Sequence, residues 1–539
     1  MRDRYDPREG LAAFRAPLDY ALAAAFGIAN FALCGWRYWR PPDRIFDEVY
    51  FARAAHEYLT NQRIYENTHP PLSKLLITAS VWLFGGIGRG DSALAWRFLD
   101  VCFASLAVVM LYTLAKRITG SSAFAAVAAA LFTFDGMHFV QARIATPESF
   151  VGFFALAALY ALYRVWIAAQ FARRASVAVP WWGFAAGATA CACAGLASAL
   201  AARTGWHFDA ATTAVVAAYV ACGAYAFVRR IVFPAAFGSE PREGSSELWL
   251  WIALLALALG CLIATKWYGI TLVGLTVVLL AFVASQPAAV GPQAAPWVDP
   301  DAYHLDGVLA ALVFGIATVY ALAWVPDLVR QSPDPAEIHS FDDVVARQYT
   351  MFEYHDVGVR NATHPYSSKW WEWPLDYVPV AYYYRDDRRD PSDPKGCCIS
   401  EITSMPNPVL LWCGLICVPA VGWIGWRQRR KGYVLLAAAY LAQWLPWAAS
   451  PRLAWEYHFY VNVPLICLCE ASVLQHFWLW GKNHRHRGNA WMAAFVAAGF
   501  VGCAAAAFVF FYPVLAARPI SEIAWHARMW LPTWVIGPG

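Results

Sequence analysis

The chain reads as an all-α polytopic integral membrane protein, and three observations lead there. It is 60% hydrophobic and only 14% charged over 539 residues, where a soluble globular domain carries about 25% charged residues. Its mean hydropathy is +0.41. Apolar runs close to the ~20 residues that cross a bilayer core recur along the whole length. The net charge of +4 is too small to imply a nucleic-acid partner. The positions of the basic residues matter more, because they set topology.

Taken in order, MRDRYDPREGLAAFR is a charged cytoplasmic tail with no small-residue cleavage site. Spanning helices are predicted at 18–36, 97–115, 121–140, 148–167, 181–201, 210–228, 248–265, 268–285, 307–325, 407–424, 433–449, 459–479 and 491–512. That makes about thirteen, or about eleven without the Ala-rich pair at 181–228, which is the weakest part. With the N-terminus inside, Lys116-Arg117, Arg173-Arg174, Arg229-Arg230, Arg427 to Lys431 and Lys482 to Arg487 all fall on the inner side, as the positive-inside rule asks.

The outer side then holds two long segments and a C-terminal tail, 513–539. Segment 37–96 contains DEVYFARAAHEYL, whose Val49, Phe51, Ala54, Ala55, Tyr58 and Leu59 recur at helical spacing. This predicts an amphipathic helix lying on the membrane surface. Pro70-Pro71 breaks the chain, and SKLLITASVWLFGG forms a second interfacial or partly inserted helix. Segment 326–406 is too polar for lipid, and its many Trp and Tyr favour the headgroup level. No repeats or low-complexity tails appear, which suggests a single membrane domain over 1–539. Most of the 13 cysteines lie in apolar runs, where they act as small hydrophobes. Cys397-Cys398, in a polar loop, reads as structural.

Candidate chemistry gathers on the outer face. Asp47-Glu48, His69 and Lys74 lie in the first loop, Arg143 and Glu148 flank Pro147, and Lys266 follows a spanning helix. Trp370, Trp371 and Trp373 lie in the large loop, and Arg452, Glu456, Tyr457 and His458 sit in SPRLAWEYHFY. Cations and carboxylates converging on one face suit an anionic lipid-linked substrate. The cations bind phosphate oxygens, and a carboxylate takes a proton from an attacking hydroxyl. Each also has a plainer reading. Asp47-Glu48 reads as a solvated pair, His69 as a turn residue, Arg143 as a snorkelling anchor, the tryptophans as an interface belt, and Arg452 and His458 as capping or packing groups.

These motifs, in this order, resemble the protein O-mannosyltransferase family of the GT-C superfamily. Phe46-Asp47-Glu48-Val49-Tyr50-Phe51 is similar to its first-loop Asp-Glu motif, and His69-Pro70-Pro71-Leu72-Ser73-Lys74 to its His-Pro-Pro-Leu-Gly-Lys motif. Thr265 to Gly269 resembles its Lys-Trp-Thr-Gly segment, and Ser368 to Pro374 with Tyr382-Tyr383-Tyr384 the Trp-Pro…Tyr-Tyr stretch of bacterial members. Asn407-Pro408…Trp412 and Pro446-Trp447…Arg452…Tyr457-His458-Phe459-Tyr460…Pro464 complete the series. Arg143 keeps its place in the family's Arg…Leu-Leu-Asp motif, with Glu148 near the Asp position. Segment 326–406 is too short for the MIR domain of eukaryotic members.

The resemblance implies a GT-C fold and a bacterial inner-membrane enzyme with its active site on the extracytoplasmic face. The donor would be a polyprenyl-phosphate sugar, most simply mannose, and the acceptor a Ser or Thr of an extracytoplasmic protein. It implies Asp47 as base, with Glu48 and Glu148 positioning groups. Arg143 comes first, then His69, Lys74, Lys266, Arg452 and His458, as donor phosphate or sugar ligands. Trp370, Trp371, Trp373 and Tyr457 fall on the acceptor side. No His/Asp cluster has metal spacing, so no obligatory metal is expected. Family members often dimerise, though no feature here demands it. A GT-C transferase acting on a lipid or glycan, such as an aminoarabinose transferase, is the nearest rival. A lipid-linked sugar transporter is more remote, since transporters carry charges at the membrane midplane.

Overall fold

Apolar runs this long satisfy their own backbone amides as helices. The computed structural model describes residues 17–88, 90–169, 245–285, 305–330, 332–387, 398–483 and 487–535. Among them eight helices are long and apolar enough to cross a membrane. The helices expected at 181–201 and 210–228 lie outside the described residues. Packing divides the chain into two compact units. The first holds Met1–Thr60, Ser73–Leu156 and Tyr354–Gly539, the second Asn61–Leu72 and Ala157–Glu353.

In the first unit, α1 (Leu18–Gly35) packs on α5 (Phe98–Thr119). Between them come α2 (Glu48–Leu59), α3 (Leu72–Leu83) and the short α4 (Ala93–Trp96). The two helices expected in the first loop are therefore present. Charged groups buried among apolar helices need partners. Asp19 of α1 has them in Lys116 Nζ at 3.3 Å and the Tyr112 hydroxyl at 2.9 Å.

The span expected at 121–140 is instead two helices, α6 (Ser122–Thr133) and α7 (Gly136–Gln141). Asp135 makes the break. One of its oxygens caps α7 by accepting the His138 amide at 2.8 Å, and the other accepts the Asn407 amide at 2.8 Å. At 1.5 Å per residue the twelve residues of α6 reach about 18 Å, short of a ~30 Å core. Helix α8 (Glu148–Ala169) begins in this unit.

The segment 326–406 ends in structure that the helical reading did not anticipate. Strands β1 (Val380–Asp386), β2 (Cys398–Ser404) and β3 (Ile520–Ser521) form an antiparallel sheet in the order β1-β2-β3. The register pairs Ala381 with Thr403 and Tyr383 with Ile402, which leaves Tyr382 as the extra residue of a bulge. Bulges re-aim side chains, and this one turns Tyr382 inward. Cys398, at the head of β2, is disulfide-bonded. The C-terminal segment is no free tail. It supplies β3, its Trp525 indole donates to the Glu401 carboxylate, and its Trp534 indole donates to the Asp376 carbonyl.

In the second unit, α9 (Ser245–Thr265) packs on α11 (Leu305–Val329). They approach closely at Gly260, where a Cβ would lie 2.6 Å from Val319. Small residues at such crossings let helices pack tightly in lipid. Between them, α10 (Ile270–Ser285) follows a 3-10 turn, and α12 (Phe341–Glu353) buries Val344 and Met351 against Trp324 and Ile338. In the first unit again come α13 (Pro408–Gln428), α14 (Lys431–Trp444), α15 (Val463–Asn483), α16 (Arg487–Leu515) and the short α17 (Glu522–His526). The span expected at 433–449 turns 3-10 at Leu445, because Pro446 has no amide to continue an α-helix.

Candidate active site

The site begins with a carboxylate that is fully engaged. Glu48 and Arg97 are both 0% exposed. Arg97 donates from Nε to Glu48 Oε1 at 2.6 Å and from Nη2 to Oε2 at 2.7 Å. The remaining guanidinium hydrogens reach the carbonyls of Tyr38, Pro41 and Asp43 at 2.8–3.0 Å. Glu48 also accepts the Ile45 amide at 3.0 Å and the Ala145 amide at 2.8 Å. A bidentate pair of this kind is geometrically specific. It ties the loop after α1, the start of α5 and the loop before α8 into one frame. Glu48 is thereby held by four hydrogen bonds within this frame.

Asp47 sits on that frame with a different exposure. It is half-buried, and the residue before it, Phe46, has φ +47°. A bulky side chain in the left-handed region is strained, and such strain collects at functional sites. Phe46 stacks on Tyr382 with ring centroids 4.1 Å apart and meets Tyr457 edge-on at 5.8 Å. The charges of Asp47 and Glu148 both act on Tyr382 and Tyr457. Burial, followed by the charge of Glu148, pushes the Tyr382 phenol well above its ordinary range. Gln141 donates to that phenol at 2.8 Å. Glu148 is buried at the first position of α8.

Arg143 is engaged with backbone carbonyls. Its Nη1 donates to the carbonyls of Cys34 and Trp36, each at 2.8 Å, and Nη2 to that of Arg37 at 3.2 Å. It fastens the chain as it leaves α1, where Arg37 has φ +55°. Burial lowers its pKa to about 10, so it stays cationic at neutral pH. Lys74 is buried in the first turn of α3.

The late motif packs beside Tyr457. Arg452 Nη1 lies 2.8 Å from His355 Nδ1, and desolvation lowers its pKa. The Trp455 amide donates to His458 Nδ1 at 3.1 Å, and the His458 ring stacks on Tyr457 at 4.5 Å. Trp373 is buried, with its indole donating to Ser368 Oγ at 3.0 Å and its ring 5.2 Å from Trp447. Trp370 meets Trp371 edge-on at 5.8 Å. Below this layer the fully buried Asp376 carboxyl contacts that of Glu456, and burial raises the Asp376 pKa to about 8.

The other two expected ligands belong to the second unit. His69 Nδ1 lies 2.9 Å from Glu66 Oε1 and 3.0 Å from Thr68 Oγ1. Lys266 is buried with its ammonium 5.4 Å from the Tyr268 ring. The Trp267 indole beside it donates to the Tyr320 hydroxyl at 3.0 Å, which donates to Gln348 at 2.6 Å.

The first unit thus holds Asp47, Glu48, Lys74, Arg143, Glu148, Trp370, Trp371, Trp373, Arg452, Tyr457 and His458. Arg97, Gln141 and the inward turn of Tyr382 escaped the sequence reading. Arg97 left one clue: a cation at a helix start opposes the helix dipole and calls for an acidic partner.

Known proteins match the same stretches. Residues 24–199 match the family described as dolichyl-phosphate-mannose-protein mannosyltransferase. Residues 340–534 match the C-terminal four TMM region of protein-O-mannosyltransferase. The chain is similar to the polyprenol-phosphate-mannose–protein mannosyltransferase of Mycobacterium tuberculosis, 26% identical over 526 residues that cover 91% of this chain and 86% of the relative. The protein of the same description from Corynebacterium glutamicum is 22% identical over 491 residues, covering 86% of this chain and 81% of the relative. In fold, the chain is similar to the S. cerevisiae protein O-mannosyltransferase Pmt1-Pmt2 complex bound to the sugar donor, with TM-score 0.69 and 11% identity over 100% of this chain and 95% of that one.

Proposed function

The chain belongs to the protein O-mannosyltransferase family, and from that premise we propose how its residues divide the work. The protein is a multi-pass membrane glycosyltransferase that moves mannose from a polyprenyl-phosphate donor to proteins. Asp47 is the general base. A Ser or Thr hydroxyl of the acceptor attacks the anomeric carbon, its proton passes to the Asp47 carboxylate, and the carbon–oxygen bond to the lipid phosphate breaks. Direct displacement inverts the centre, so a β-linked donor gives an α-linked product. The transition state has oxocarbenium character, as in glycoside cleavage.

The observation that carries this reading is the contrast between two adjacent carboxylates. Glu48 is sealed in its Arg97 bracket, whereas Asp47 is half-buried beside the aromatic rings of Phe46, Tyr382 and Tyr457. A base must be reachable by substrate, and of the two only Asp47 has an exposed side. The leaving group is a phosphate monoester, already a stable anion, so cations rather than a general acid assist its departure. Arg143 is held by three carbonyls. We therefore assign the phosphate first to Lys74 of the same unit and give Arg143 a positioning role. Cations acting on a good leaving group make an obligatory metal unnecessary. The membrane is the bacterial inner membrane, with the N-terminus cytoplasmic and the site on the extracytoplasmic face.

The test is transfer of labelled mannose from polyprenyl-phosphate mannose to a Ser/Thr peptide in membranes. Asp47→Asn should lower the rate by about 10²–10⁴. Full activity in that variant refutes the base assignment. Label that ends only in lipid refutes protein as the acceptor.

A further inference from the structure

Between residues 367–373 and 447–454 of the first unit lies a cavity of about 570 Å³ that the transfer step does not use. Its walls are held in place by hydrogen bonds. The Ser368 amide donates to the Ala454 carbonyl at 2.9 Å, joining the two segments. Trp373 is fixed by Ser368 and packed on Trp447, and the Trp444 indole donates to the Trp370 carbonyl at 2.7 Å. Preorganised walls of this kind lower the ordering cost of binding.

The lining carries Arg360, Lys369 and Arg452 against a single carboxylate, Glu372. Lys369 is exposed and holds its ammonium 5.0 Å from the centre of the Trp371 ring. Arg360, also exposed, pairs with Asp356 at 2.9 Å. Arg452 has a neutral partner instead, the His355 ring nitrogen. Glu372 turns one oxygen to the Lys369 amide at 2.6 Å. With Asp356 counted against Arg360, the cavity is still net positive. Tyr457 lies within electrostatic reach of both Asp47 and Arg452.

We propose that this cavity is an acceptor subsite that selects segments carrying an aspartate or glutamate a few residues from the modified Ser or Thr. The inference rests on the reading of the chain as a protein mannosyltransferase and adds the charge class of its acceptor. The tryptophan faces hold the peptide's apolar groups, and the cations on the rim select its charge. Electrostatic matching of this kind discriminates between partners more than it adds raw affinity.

Three peptides that differ only at one flanking residue, Glu, Gln or Lys, test it with the full-length enzyme and polyprenyl-phosphate mannose. The Glu peptide should exceed the Gln peptide in kcat/KM by roughly threefold to tenfold, since each exposed pair contributes modestly. The difference should lie in KM and shrink at high salt, where exposed charges are screened. In Lys369→Glu, whose exposed side chain spares the fold, the Glu peptide should lose its advantage over the Gln peptide and the Lys peptide should gain on both. Equal rates for the Glu and Gln peptides, with both mannosylated, overturn the inference and leave mannosyl transfer standing. An unchanged peptide order in Lys369→Glu also overturns it. So does a preference for peptides that already bear mannose whatever their charge, which would make the cavity a sugar site. No transfer to any of the three, with label retained in lipid, overturns the mannosyltransferase reading and the inference with it.

Discussion

Glu48→Gln and Asp47→Asn are neighbouring, isosteric changes that should fail in opposite ways. Glu48 accepts two hydrogen bonds from Arg97 and two from backbone amides, and both members of the pair are fully buried. Gln at this position keeps the shape and one acceptor oxygen, but it sets an NH2 group against the Arg97 donors and leaves the buried guanidinium without its countercharge. Removing one partner of a buried ion pair costs about 3–5 kcal/mol. That is a large share of the ~5–15 kcal/mol by which domains are stable. At about 2 °C per kcal/mol for large domains, the unfolding temperature in detergent should fall by roughly 5–10 °C. Asp47 is half-buried, so Asn there removes a charge that water already partly solvates. Its unfolding temperature should stay within about 2 °C of wild type, while transfer falls by about 10²–10⁴. Thermal unfolding followed by tryptophan fluorescence, and labelled-mannose transfer well below both midpoints, separate the two. Wild-type stability in Glu48→Gln refutes the bracket. A stability loss in Asp47→Asn as large as that in Glu48→Gln refutes the division of labour.

Arg143→Lys keeps the charge but loses the fork that reaches Cys34, Trp36 and Arg37. It should lower thermal stability and leave the donor KM within about threefold; a large rise in KM at unchanged stability would return Arg143 to the donor phosphate. At Gly152 an added Cβ would lie 2.7 Å from the Tyr460 ring. Gly152→Ala should therefore destabilise by about 1–3 kcal/mol through overpacking, and a wild-type melting curve would contradict the packing of α8. Burial holds the Asp376 pKa near 8 and that of Glu401 near 7, both raised. Stability from these groups is complete below the ordinary carboxylate range near pH 4 and is lost as pH rises through about 7–8. The unfolding temperature should fall from about pH 4 to 8 and level off above that, and Asp376→Asn should flatten that fall; an equal slope in the variant would refute the assignment.

What was legible in the sequence follows from the range of the interactions. Helix α1 and helix α8 were visible because lipid demands a long unbroken apolar run, and that demand is written residue by residue. The break at Asp135 was not, although a lone acid inside an apolar run is a warning. Its oxygens cap α7 and hold the Asn407 amide, and the second partner is remote in sequence. The sheet hid for a similar reason. VAYYYRD has the aromatic content of a strand, but its pairing partners lie in β2 and the far C-terminal β3. The same distance separates the two carboxylates in the first loop. Asp-Glu side by side gives no hint of which one is sealed, because the answer is Arg97 at the foot of another helix and the Ala145 amide before a third. Sequence spacing can therefore nominate a catalytic pair, while burial decides between its members. Here burial seals Glu48 and leaves Asp47 reachable, and it does so through residues that no motif around Asp47 contains.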